Sequence, residues 1–174
     1  MPRYAEAIGL DLGSRSAKVA HVVRRRGVCT VADTARIDLP PDGPDRRRAL
    51  LRLVESRGWK DIPCVAVLRG DALVLRALDI PPTDPRSLRQ VMTVELKEVE
   101  SLSSTETLSH CARMPGPNGH RRALLAVTRS DAVESVLETH NEAGLQVADV
   151  VPAGVALLNT YCRFLNGRPG TVML

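Results

Sequence analysis

Aromatic side chains are nearly missing from this sequence: one Trp, two Tyr and one Phe, 2% of 174 residues. Single-stranded nucleic acid is held largely by stacking bases on aromatic rings, and Tyr4, Trp59, Tyr161 and Phe164 are too scattered to make such a platform. No nucleic acid partner is therefore expected, in spite of a formal charge of +4 and a pI of about 9.2. The arginine runs Arg24 to Arg26 and Arg46 to Arg48 read as solvated coats on a hairpin tip and a helix start. Cysteine is sparse as well. Cys29, Cys64, Cys111 and Cys162 form no C-x-x-C pair and have no histidine at ligand spacing, which argues against a zinc site or disulfide framework and favours buried free thiols in a reducing compartment.

Long apolar runs are missing too. No segment reaches the ~18 residues needed to span a bilayer, and the apolar part of "MPRYAEAIGL" is too short for a signal peptide. The expectation is a cytoplasmic protein without direct membrane insertion, peripheral to a membrane only through a partner. The P-loop pattern is missing, as are serine and cysteine nucleophile motifs. His21, His110, His120 and His140 stand alone, and the adjacent His110 and Cys111 would point to opposite faces of a strand. Glu95, Glu98 and Glu100 read as the solvated side of a helix, and Asp149 as a turn carboxylate rather than a base. No residue is assigned a catalytic role.

What remains is ordinary globular material, 44% hydrophobic and 25% charged, enough for one domain or two small lobes. Three strands open the chain, Glu6 to Leu12, Ala17 to Arg24 and Val28 to Leu39, as an antiparallel meander. "PPDGPD" breaks the sheet, and a helix follows from Pro44 to about Ser56 with Leu50, Leu51 and Val54 on one face and Gly58 as its stop. "IPCVAVLRG" reads as a strand buried on both faces. The order β-β-β-α-β is that of a ribonuclease-H-like core.

Next come a strand in "ALVLRALDIPP", a helix from Asp84 to about Val99, and a hairpin of Thr105 to Arg113 with Arg121 to Thr128. Ser130 caps a helix bearing Val133, Val136 and Leu137, which Gly144 ends. "LQVADVVP" is a further strand and "AGVALLNTYCRFL" a closing helix. Residues 80–145 thus read as a small α+β insert between a core of 1–79 and its return at 146–174.

The densest chemistry lies in "AIGLDLGSRSAKVAHVV", Ala7 to Val23. A strand ends in Asp11-Leu12-Gly13-Ser14 and turns at once into a second strand carrying Ser16 and Lys18. Amides exposed in a tight small-residue hairpin can cradle phosphate oxygens, a lysine adds positive charge, and an aspartate at a strand end can hold hydrated magnesium. Taken alone, the same four residues also make an ordinary β-turn.

"GLDLGSRSAKVA" resembles the first phosphate motif of the actin-like ATPases. The sequel resembles their PilM-like branch and, more distantly, the FtsA-like one: "LRALDIPP", the amphipathic "DPRSLRQVMTVELKEVESL", a hairpin, and "LLAVTRSDAVESVLETHNEAGLQVADVVPAGVAL". The resemblance implies an α/β fold, the first lobe of an actin-like ATPase with an inserted small α+β subdomain. It implies ATP and Mg2+ as cofactors, with Asp11 holding the metal's water shell, Gly13 and Ser14 offering amides, Lys18 offsetting phosphate charge and Ser16 in a lesser role. A second phosphate motif would follow Leu174, so the chain would be the N-terminal half of a longer protein. The implied function is a cytoplasmic platform or scaffold of a type IV pilus or related type II secretion assembly. It would dock the cytoplasmic tail of a single-span, PilN-like inner-membrane protein, with self-association as a further expectation. An FtsA-like division scaffold and a small-metabolite kinase are the alternatives.

Overall fold

The computed structural model describes residues 4–41, 43–70, 73–80, 94, 97, 106–115 and 121–164. They form two compact units, Met1–Leu68 with Ser135–Leu174, and Arg69–Glu134.

In the first unit β1 (Glu6–Leu12), β2 (Ser16–Arg25) and β3 (Val28–Asp38) make the meander. Helix α1 (Pro44–Arg57) then carries the chain across to β4 (Pro63–Leu68), which lies beside β1 and parallel to it. A second strand, β8 (Gln146–Pro152), pairs parallel with β4. The sheet order is β3-β2-β1-β4-β8, with only β2 antiparallel to its neighbours. The expected ribonuclease-H-like arrangement is thus present. Two bulges interrupt it: His21 faces Asp33 while Val22 faces Val31, which leaves Ala32 over, and Ala148 is left over in the same way opposite the Cys64–Val65 step.

One face of this sheet is sealed by α1. Leu50, Leu53 and Val54 are buried at helical spacing and pack against Ile8, Leu10, Ala17, Val19 and Cys64. Leu53 takes the place expected for Leu51, because positions 50, 53 and 54 share one stripe while 51 sits at its margin. Strand β4 alternates buried and half-buried residues, so only one of its faces is closed, contrary to the reading of its continuous apolar run. Burial pushes the Cys64 thiol up to about 12.

Both glycine stops hold. Gly58 (φ 66°) and Gly144 (φ 78°) occupy the left-handed region. At each, paired bonds close the last turn: Gly58 N to Glu55 O with Trp59 N to Val54 O, and Gly144 N to Asn141 O with Leu145 N to His140 O. A side chain at 144 would also approach Leu51 Cδ1 at 3.5 Å.

Helix α2 (Ser130–Glu142) continues its apolar stripe into His140, which is 1% exposed. Its Nδ1 lies 2.6 Å from Val136 O. A carbonyl only accepts, so Nδ1 carries the proton and the bare Nε2 is buried with no partner among the described residues. Desolvation lowers the His140 pKa below the ordinary histidine value, outweighing the opposing bond to Val136. Above the unfolded value of about 6.5 the ring is neutral in both states; below it the unfolded chain takes up a proton that the folded one resists. Stability should therefore fall with pH below about 6.5, by at most about 1.4 kcal/mol per pH unit from this group, until the lower folded value is reached. Denaturant midpoints between pH 7.5 and 5.5 for wild type and His140→Met test this. The decline should be shallower in the variant, and equal declines would refute the assignment.

The second unit holds β5 (Leu73–Ile80), β6 (Thr107–Pro115) and β7 (Arg121–Arg129) in the antiparallel order β5-β7-β6. These strands fall in the chain between β4 and β8, so the small sheet interrupts the larger one. Ala123, Leu125 and Val127 of β7 point to its buried face, with Leu78 and Cys111 packed on Leu125 and Val127. Asp79 accepts from Arg122 Nε at 2.7 Å across the β5–β7 pair. The expected helix from Asp84 to Val99 lies outside the described residues except Val94 and Lys97, both helical. His120, Glu95, Glu98 and Glu100 also lie outside them. The chain resumes with α3 (Ala153–Phe164) directly after β8.

Candidate functional site

Three parallel strands, β1, β4 and β8, end at one edge of the larger sheet: Leu10 is beside Ala66, and Leu68 beside Pro152. In open α/β sheets ligands sit outside the carboxyl ends of such strands. Asp11 stands at that end of β1.

From there the chain makes a tight hairpin. Gly13 N donates to Ser16 O at 2.8 Å, which leaves Ser14 and Arg15 as the loop. This bond starts β2 at Ser16, one residue before the sequence-based start at Ala17. In the β1–β2 register Asp11 is directly opposite Lys18, and Lys18 Nζ is 3.8 Å from Asp11 Oδ2. Lys18 is 63% exposed, so the pair is worth about 0–1 kcal/mol and a ligand could part it at small cost. All five sequence-predicted residues, Asp11, Gly13, Ser14, Ser16 and Lys18, thus lie on this one hairpin. The Gly13 amide is engaged within it; no described residue accepts from the amides of Ser14 or Arg15.

One contributor was missed from sequence. Arg46, read as part of a solvated run, is half-buried, and its Nη2 and Nη1 donate to Gly13 O at 2.6 Å and Ser14 O at 2.9 Å. Its neighbours do match that reading: Arg47 is exposed and bonds Glu142 at 2.7 Å, and exposed Arg48 pairs with Asp45 at 3.4 Å. A signal was available for the run as a whole, because three cations near the N-terminus of a helix oppose its dipole and call for a compensating contact.

Among the described residues no group of three or more His, Cys, Asp or Glu is placed to hold a metal, and none is needed for magnesium, which keeps its waters and takes one or two carboxylates plus phosphates. Asp11 is the carboxylate that the hairpin offers. Asp149 is exposed within β8, where its Oδ1 accepts from the Val150 amide. His21 Nε2 lies 3.2 Å from Glu6.

No family model matches the chain, and no curated protein does. Solved structures do. A chain of the PilM-PilN type IV pilus biogenesis complex superposes with a TM-score of 0.67 at 22% identity, over 91% of this chain and 50% of that one. The sheet order and this likeness decide the fold. The chain has the α/β fold expected for the first lobe of an actin-like ATPase, with a smaller sheet inserted in the sequence between β4 and β8. The cytoplasmic domain of EpsL, an inner-membrane component of the type II secretion system of Vibrio cholerae, matches with a TM-score of 0.52 at 18% identity, over 84% of this chain and 57% of that one. The present chain therefore spans about half the length of the chains it matches. Among its described residues, no helix is long and apolar enough to cross a membrane.

Proposed function

We propose that the chain is the nucleotide-binding lobe of a cytoplasmic platform protein in a type IV pilus or type II secretion assembly, docking the tail of a PilN-like inner-membrane partner. The likeness to the pilus biogenesis complex along 91% of the chain carries this reading. The hairpin supports its nucleotide part. Asp11 would hold hydrated Mg2+; Lys18, the Ser14 and Arg15 amides and the Ser16 hydroxyl would meet the phosphates of ATP. Bound Mg2+ would neutralise and bridge phosphate oxygens. With no base assigned, ATP serves as a structural or switching ligand.

For the partner, the small sheet supplies a surface. Register places Leu75, Ala77, Leu108, Ala112, Leu124 and Ala126 on the face opposite the buried Leu125 and Val127. Leu75 is 39% and Leu108 45% exposed, so this face offers accessible apolar side chains flanked by His110 and the Asp79–Arg122 pair, a mixed surface that a short amphipathic tail could use. The test is titration of the polypeptide as the cell makes it, loaded with MgATP, with a synthetic tail of its own system's single-span partner. Binding is expected, weakened about tenfold or more by Leu108→Asp. A folded, loaded protein that ignores the tail would sink the platform assignment.

A further inference from the structure

We propose that Arg46 is a positioning residue: from the first turn of α1 it sets the peptide planes of the hairpin so that the Ser14 and Arg15 amides are presented to a polyphosphate. The inference rests on the nucleotide reading above and deepens it.

Arg46 uses two nitrogens of one guanidinium on two successive carbonyls, those of Gly13 and Ser14. Both carbonyls therefore face the same plate. In a trans peptide the N–H of the next residue points opposite to the C=O, so the Ser14 and Arg15 amides are turned away from Arg46. The next carbonyl is held as well, since Leu39 N donates to Arg15 O at 2.8 Å. With three successive carbonyls engaged from the rest of the lobe, consecutive amides remain on the other side, where one anion could accept from both.

The anchor is firm. Leu50, Leu53 and Val54 root α1 in the core, so the backbone that carries Arg46 is fixed relative to β1 and β2. A planar fork meets two adjacent carbonyls with two donors at a fixed spacing; an ammonium is a point charge on a flexible stem and does not hold them in one geometry. Arg46→Lys consequently keeps the charge beside the turn and loses the double contact, which separates positioning from simple electrostatic attraction.

The experiment is calorimetric titration of the full-length polypeptide with MgATP, for wild type, Arg46→Lys and Arg48→Ala. The backbone amide chemical shifts of Ser14 and Arg15 are recorded without ligand. Arg46→Lys should weaken MgATP about tenfold and move the signals of both amides in the free protein, while Arg48→Ala stays within about twofold of wild type and leaves those signals in place. If Arg46→Lys does not fold, Arg46→Gln, which can keep one contact, is read in its place. Wild-type binding matched by Arg46→Lys within about twofold would overturn the positioning role and leave the phosphate site standing. Folded wild type that takes no MgATP would overturn the site and this inference together.

Discussion

Leu50→Ala is expected to destabilise the fold by about 3 kcal/mol, within the range of about 2–5 kcal/mol seen when a buried leucine is cut back to alanine. Leu50 is 1% exposed, on the face of α1 that meets β1 and β2. Alanine is the best helix former, so the backbone loses nothing and the whole effect is lost packing plus the cavity left behind. For a chain of this size the melting temperature should drop by about 10 °C. Exposed Arg48 is the control: its pair with Asp45 at 3.4 Å is a surface contact near a helix N-terminus, where a cation is disfavoured. Arg48→Ala should stay within about 0.5 kcal/mol of wild type. Equal melting of Leu50→Ala and wild type would mean that α1 does not seal this sheet.

The second large effect concerns the metal. Asp11→Asn should weaken MgATP about tenfold to a hundredfold, because the amide keeps the shape but gives up the charge that would hold the ion's water shell. Metal-free ATP should respond in the opposite direction. Its phosphates would no longer meet a carboxylate, and Lys18, 3.8 Å from Asp11 in the free protein, would lose its competing partner. Affinity without metal should therefore hold or rise. Lys18→Gln should weaken both forms. Loss of the Asp11–Lys18 pair by itself costs no more than about 1 kcal/mol. Parallel losses of MgATP and free ATP in Asp11→Asn would show that Asp11 supports the turn and does not serve the metal.

Local chemistry made much of this fold legible. Strand β1 runs from Glu6 to Leu12 as its apolar pattern requires, and Gly58 and Gly144 end their helices because a left-handed residue closes the last turn with little strain. The meander, the crossover of α1 and the return of β8 to the sheet follow from the order of periodicities. Contacts between distant segments were harder to see. Arg46 meets residues 32 and 33 positions earlier in the chain, and no local pattern separates it from Arg47 and Arg48. His140 is a polar residue on an apolar stripe, where periodicity assigns no burial to histidine. The bulges at Ala32 and Ala148 are decided by pairing, which a single strand's sequence does not contain.

The most direct test of the phosphate hairpin is the change in backbone amide chemical shifts when the full-length, isotope-labelled polypeptide is titrated with MgATP. The amides of Ser14 and Arg15 should be among those that move most, and magnesium-free ATP should move them differently. Saturable nucleotide binding that leaves Ser14 and Arg15 unmoved, or no binding by the folded protein, would contradict the account.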